Sequence, residues 1–155
     1  MILNSFDALN AFAAQLQRHI ADDKFKTKVV ITPSSVNEKG LVIKISLLKT
    51  FLQGEPKAIR ASRMLRVRVS VAGAAESRTG LEQALTAIEA LDRFLASDGL
   101  RLEVTDGGKI RGVPNSRIIQ SITQEDSFMD SPDSTSVQDV QDDRIVTITI
   151  PTGEF

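Results

Sequence analysis

The chain has 155 residues, 41% hydrophobic and 25% charged, with a net charge of −1 at pH 7; a single domain of that size buries roughly 68–70% of its unfolded surface, enough for a core without cross-links. The absence of cysteine excludes disulfides, thiolate nucleophiles and Cys-based zinc sites. Near-neutral charge without Trp or Tyr removes a global pull on nucleic acid and its best stacking platforms, and no apolar run reaches the ~20 residues of a membrane helix.

The N-terminal stretch Met1 to Asp7 has neither the basic start nor the small-residue cleavage site of a signal peptide, so a cytoplasmic protein is expected. Leu3, Phe6, Leu9, Phe12, Ala13, Leu16 and Ile20 recur at three- and four-residue steps, which predicts a helix with one apolar stripe. Asn4 or Ser5 can cap it, and it should end near Ala21 to Lys24. Val29 to Thr32, closed by Pro33, reads as a short strand, and Ser34 to Gly40 as a loop.

From Leu41 the period becomes two. Leu41, Ile43, Ile45 and Leu47 share one face, and Val42, Lys44, Ser46 and Leu48 the other. Turn residues Gln53 to Pro56 join Leu41–Leu52 to Ala58–Ala72 in a predicted hairpin. In the second arm Leu65, Val67, Val69 and Val71 face the core, while Met64, Arg66, Arg68 and Ser70 face away. Thr79-Gly80-Leu81-Glu82 fits a capping box for a helix over Leu81–Ser97, with Leu81, Ala84, Leu85, Ile88, Leu91 and Leu95 as its stripe and Gly99 as its stop. Such a helix is about 25 Å long at ~1.5 Å per residue, enough to lie along a sheet.

Leu100 to Val104 and Ile118 to Thr123 read as strands around a glycine turn at Asp106-Gly107-Gly108. Gln124 to Asp143 then holds Glu125, Asp126, Asp130, Asp133, Asp139, Asp142 and Asp143 with no Lys or Arg, which predicts a long acidic surface loop. The closing strand is Ile145 to Ile150. The expected fold is one α+β domain over residues 1–155, a mixed, mostly antiparallel sheet covered by two amphipathic helices.

No catalytic signature accompanies this pattern. Thr105 to Gly112 offers glycines with Lys109 and Arg111, but a Walker loop needs Gly where Glu103 stands and Ser or Thr where Ile110 stands, so a hairpin turn is the better reading. His19, the one imidazole, sits at the edge of the first apolar stripe with no nucleophile-elbow sequence elsewhere. The acidic tract lacks the ladder of a calcium loop. Neither metal nor cofactor is expected. Two surface features remain: Lys57, Arg60, Arg63, Arg66 and Arg68 concentrate positive charge opposite the acidic tract, and Leu47 to Leu52 puts apolar side chains on both faces of a strand end.

Met64 to Val71, Gly80 to Leu91 and Asp142 to Ile150, in that order of arginine-bearing strand, capped helix and final strand, resemble the tail-terminator or tail-completion proteins of long-tailed bacteriophages and related contractile particles. The resemblance implies a non-enzymatic virion protein, made in the host cytoplasm, that closes as a homo-oligomeric ring, commonly a hexamer. Such a ring caps the tail tube, stops its growth and presents the surface for head joining. The implied partners are the chain itself, the tail tube protein and a head–tail connector protein; no membrane is expected, nor nucleic acid except DNA passing through the ring. No catalytic residue is carried over. Interface candidates are Arg60, Arg63, Arg66 and Arg68, the apolar Phe51 and Leu52, and the carboxylates Asp126, Asp130, Asp133 and Asp139. The competing class is a small-ligand-binding or regulatory α+β domain, which solution mass separates from a ring. An enzyme with paired carboxylates has no marked acid and base.

Overall fold

A computed structural model of the chain describes residues 2–20, 25–33, 41–53, 62–74, 77–121 and 139–153. Helix α1 (Ser5–His19) begins at Asn4, whose Oδ1 accepts the Asp7 N–H at 2.7 Å. Strands follow as β1 (Lys28–Thr32), β2 (Val42–Gln53) and β3 (Ser62–Ala74), then helix α2 (Arg78–Leu95) and strands β4 (Glu103–Asp106), β5 (Lys109–Gly112), β6 (Arg117–Ser121) and β7 (Asp139–Pro151). The main sheet has the order β1-β2-β3-β7-β6, parallel only between β1 and β2, and β4 and β5 pair separately. This is the expected α+β architecture. Gly107 and Gly108, both at positive φ, make the two-residue turn between β4 and β5, a conformation that costs glycine no Cβ clash.

Both helices pack on one face of the main sheet. There Phe12, Leu16, Leu91 and Phe94 meet Ile43, Ile45, Leu65, Val67, Val69, Val71, Val146 and Ile148 in a single core. Two glutamines fasten α1 at its flanks. Gln15 donates to Arg101 O at 2.9 Å and accepts the Glu103 N–H at 3.0 Å, while Gln17 donates to Thr27 O at 3.1 Å and accepts the Val29 N–H at 2.8 Å. Each side-chain amide supplies the donor and acceptor that a neighbouring strand would give, so backbone polar groups at the core's rim are satisfied.

Several expectations are corrected. Helix α2 starts at Arg78, because Ser77 Oγ accepts the Gly80 N–H at 3.1 Å and takes the cap expected of Thr79. Its buried face is Ala84, Ala87, Ala90, Leu91, Phe94 and Leu95, whose small residues let it approach the sheet; Leu81 and Leu85 are exposed, as is Phe6 of α1. Strand β7 begins at Asp139, so Asp139, Asp142 and Asp143 belong to a strand paired with β3, not to a loop. The charge of Asp142 and Asp143 is tolerated because arginines meet it: Arg144 binds Asp142 at 2.7 Å, and Arg68 lies 3.8 Å from Asp143. Leu100 to Leu102 is irregular, and the strand starts at Glu103. Lys57, Arg60, Asp126, Asp130 and Asp133 lie outside the described residues.

Candidate assembly surface

The face of the main sheet opposite the helices is the site with the most distinctive chemistry. Register fixes its rows: Thr32, Ser46, Arg68, Ile145 and Ser121 run across the sheet, then Lys49, Arg66, Thr147 and Ile119, then Phe51, Met64, Thr149 and Arg117. Among the described residues no helix covers these rows. Among the described side chains, the face takes by register Lys28, Lys44, Lys49, Arg66, Arg68 and Arg117 against Asp143, with Val42 and Ser70, in the rows of Lys28 and Lys44, buried. Its described charge is therefore strongly positive, whereas residues 122–138 of the sequence hold Glu125, Asp126, Asp130 and Asp133 with no Lys or Arg.

Lys49 joins this face through an irregularity. The register of β2 on β3 shifts between Leu47 and Lys49, so Leu47 opposes Val67, Lys49 opposes Arg66, and Leu48 is the extra residue of a β-bulge. Without the bulge, Lys49 would point to the helix side. Lys49 and Arg66 are thus like charges directly across a strand pair, an arrangement that costs about 0.2–1 kcal/mol when nothing compensates it. Lys49 Nζ lies 5.7 Å from the Phe51 ring centroid, a contact that keeps the ammonium on this face. Arg68 holds Asp143 loosely, and the other carboxylate oxygen, Asp143 Oδ1, is buried with no hydrogen-bond partner among the described residues.

Arg66 and Arg68 stand on the open face as their alternation with the core valines predicts. Arg63 does not: it shares the parity of Leu65, opposes Leu52 and Ile150, and projects on the helix side at the far end of the hairpin. Phe51 and Leu52 fall on opposite faces there, Phe51 half-buried beside Met64 and Leu52 exposed. Lys44 was legible as part of the outward face of β2, whereas Lys49 needed the bulge and Arg117 the β3-β7-β6 strand order.

A second feature is an open cleft of about 550 Å³ between the C-terminal ends of both helices and residues 97–103. It is lined by Arg18, His19, Phe94, Asp98, Arg101 and Glu103 among others, with the His19 ring 5.1 Å from that of Phe94 and Arg18 3.5 Å from Glu103. Its charges of both signs already neighbour one another. His19 is exposed, with its ring set against that of Phe94 at the edge of the cleft.

Among the described residues no helix is long and apolar enough to cross a membrane. No family model matches the chain, and none of the curated proteins compared with it matches either.

Proposed function

We propose that the chain is a non-enzymatic assembly protein of the tail-terminator type, whose copies close into a ring that caps a tail tube, stops its growth and offers the surface for head joining. The observation that carries this reading is the open sheet face, where like charges stand directly opposed beside Phe51, Met64, Ile119 and Ile145. Arg, Met and Phe are the residue types enriched in protein interfaces, and exposed cations interleaved with half-buried apolar groups suit a protein partner better than bulk water. The positive face and the carboxylates that the sequence gathers at Glu125, Asp126, Asp130 and Asp133 make the charge of one copy complementary to that of another. Head-to-tail repetition of one such contact closes a ring when the rotation allows.

Native mass spectrometry at micromolar concentration tests the proposal. A single closed oligomer, weakened in the double variant Arg66→Glu/Arg68→Glu, supports it; a monomer that no tube protein recruits overturns it. The cleft beside His19 favours the second reading, a ligand-binding domain, since its volume falls within the ~300–1,000 Å³ of small-molecule sites. A monomer or dimer with a ligand retained in that cleft would select it.

A further inference from the structure

The cleft at the C-terminal ends of both helices is lined entirely by described residues, and its charges divide into one neighbouring pair and two groups without a partner. Arg18 and Glu103 lie 3.5 Å apart. Asp98 and Arg101, both exposed, make no ion pair and no side-chain hydrogen bond among the described residues. Asp98 stands just past Ala96, the C-cap of α2, where the helix dipole and the last carbonyls favour a cation. A carboxylate at that end deepens the negative potential and makes the place attractive to a small ammonium group. The segment joining the two charges is fixed in advance. Ser97 N–H donates to Phe94 O at 3.3 Å, Leu100 O accepts the Ile118 N–H at 3.0 Å, and Arg101 O accepts from Gln15 at 2.9 Å. Gly99 turns the chain between them at φ +62°. Three residue steps span at most ~10 Å, so one small molecule can reach both charges without the backbone moving.

We infer that the cleft binds a small zwitterion, a free α-amino acid with an apolar side chain. Its ammonium meets Asp98, its carboxylate meets Arg101, and its side chain lies against Phe94 and Leu100, which supply the apolar wall. The inference rests on the cleft of the second reading, for which it names the ligand class, and it holds for a lone subunit and a ring alike. A guanidinium takes a carboxylate through its planar fork, which gives that end of the ligand a direction. Gly112 offers a way to close the site. It opposes Glu103 across β4 and β5, so a side chain there would share the face of Glu103 that borders the cleft. A Cβ added at Gly112 meets nothing within 4 Å and its φ is an ordinary one, so a large side chain can enter the space without disturbing the fold.

The test is isothermal titration of the full chain with L-leucine, beside N-acetyl-L-leucine, which lacks the ammonium, and L-leucinamide, which lacks the carboxylate. Leucine should bind one to one, and each half-ligand more weakly by on the order of tenfold, the loss of one hydrogen-bonded charge. Asp98→Asn should erase the preference for leucine over N-acetyl-L-leucine and keep that over L-leucinamide; Arg101→Gln should do the reverse. Gly112→Trp should keep the thermal melt and abolish binding. A folded wild type that does not bind leucine at millimolar concentration, a half-ligand bound as tightly as leucine, or binding that a folded Gly112→Trp leaves intact overturns the inference. Native mass of the same samples reports assembly separately: a ring that does not bind leucine overturns the inference and leaves the ring standing, and a monomer that binds it does the opposite.

Discussion

Arg144 is the side chain that ties α2 to the last strand, and replacing it tests whether that tie is energetic or incidental. Its Nε and Nη2 donate to the two oxygens of Asp92 at 2.8 and 3.1 Å, and its Nη1 donates to Asp142 Oδ1 at 2.7 Å and to Asp143 O at 3.0 Å. The hydrogen bonds to Asp92, then to Asp142, raise the guanidinium pKa above its ordinary value despite the opposing effect of burial. The arginine side chain is 19% exposed but Asp92 is 46% exposed, so water screens that half of the network. Hydrogen bonds to charged groups contribute about 1.5–3 kcal/mol when buried, and exposed ion pairs only about 0.2–1 kcal/mol. Arg144→Met, which keeps the aliphatic stem, should therefore cost about 2 kcal/mol, or a fall of ~4–8 °C in Tm for a domain of this size. Urea unfolding should show a lower midpoint with an unchanged slope, and a double-mutant cycle with Asp92→Asn should return a coupling near 1 kcal/mol. Because the pKa is raised, this arginine's contribution is complete below its unfolded value and lost only at still higher pH, so Arg144 itself adds no pH dependence near neutrality. A loss under about 0.5 kcal/mol, the range of an ordinary surface substitution, would refute the reasoning.

A Cβ added at Gly73 would meet Leu41 Cδ1, with Leu41 Cα at 3.0 Å, so Gly73→Ala should destabilise by about 1–3 kcal/mol; an unchanged melt would mean that Leu41 gives way freely. Gln15→Leu keeps the bulk but strands Arg101 O and Glu103 N, and should cost about 2–4 kcal/mol in denaturant titration, whereas Gln17→Leu, at a half-exposed position, should cost less. Phe12 is fully buried with its ring 6.2 Å from that of Phe94, so Phe12→Ala should cost about 3–5 kcal/mol by the same measurement. Arg66→Glu turns an opposed like-charge pair with Lys49 into an opposite one and should raise the stability of the isolated subunit by a few tenths of a kcal/mol, while Arg68→Glu, beside Asp143, should lower it; equal effects would contradict the register.

The parts of this fold that were readable from the chain are those governed by local periodicity. Alternation placed Arg66 and Arg68 opposite Leu65, Val67 and Val69, and paired glycines marked the turn between β4 and β5. What failed to read was governed by tertiary partners. Leu81 and Leu85 look like members of the α2 stripe, but the alanines at 84, 87 and 90 make the closer approach, and at ~100° per residue the two leucines lie ~100–140° away from the centre of the buried face. Asp142 and Asp143 look like part of a loop because the residues that offset their charge, Arg144 and Arg68, reach them through a bond network with Asp92 that spans 52 positions and through sheet pairing. Lys49 changed faces through a bulge that no turn residue announces. Gln15 and Gln17 read as ordinary polar positions, although each binds the backbone of a different distant segment. The candidate surface was half legible for the same reason: its β3 arginines follow from period two, while Lys49 and Arg117 reach it only through strand order and register.

The most direct test of the central claim is the native mass of the purified full chain across a concentration series, with the Arg66→Glu/Arg68→Glu double variant beside it. The account predicts one closed oligomer of defined copy number for the wild type, and a shift toward monomer for the variant at unchanged secondary structure, with the shift smaller at high salt. A wild type that remains monomeric at every concentration and is not recruited by a tail tube, or a folded double variant that assembles as the wild type does, would contradict it.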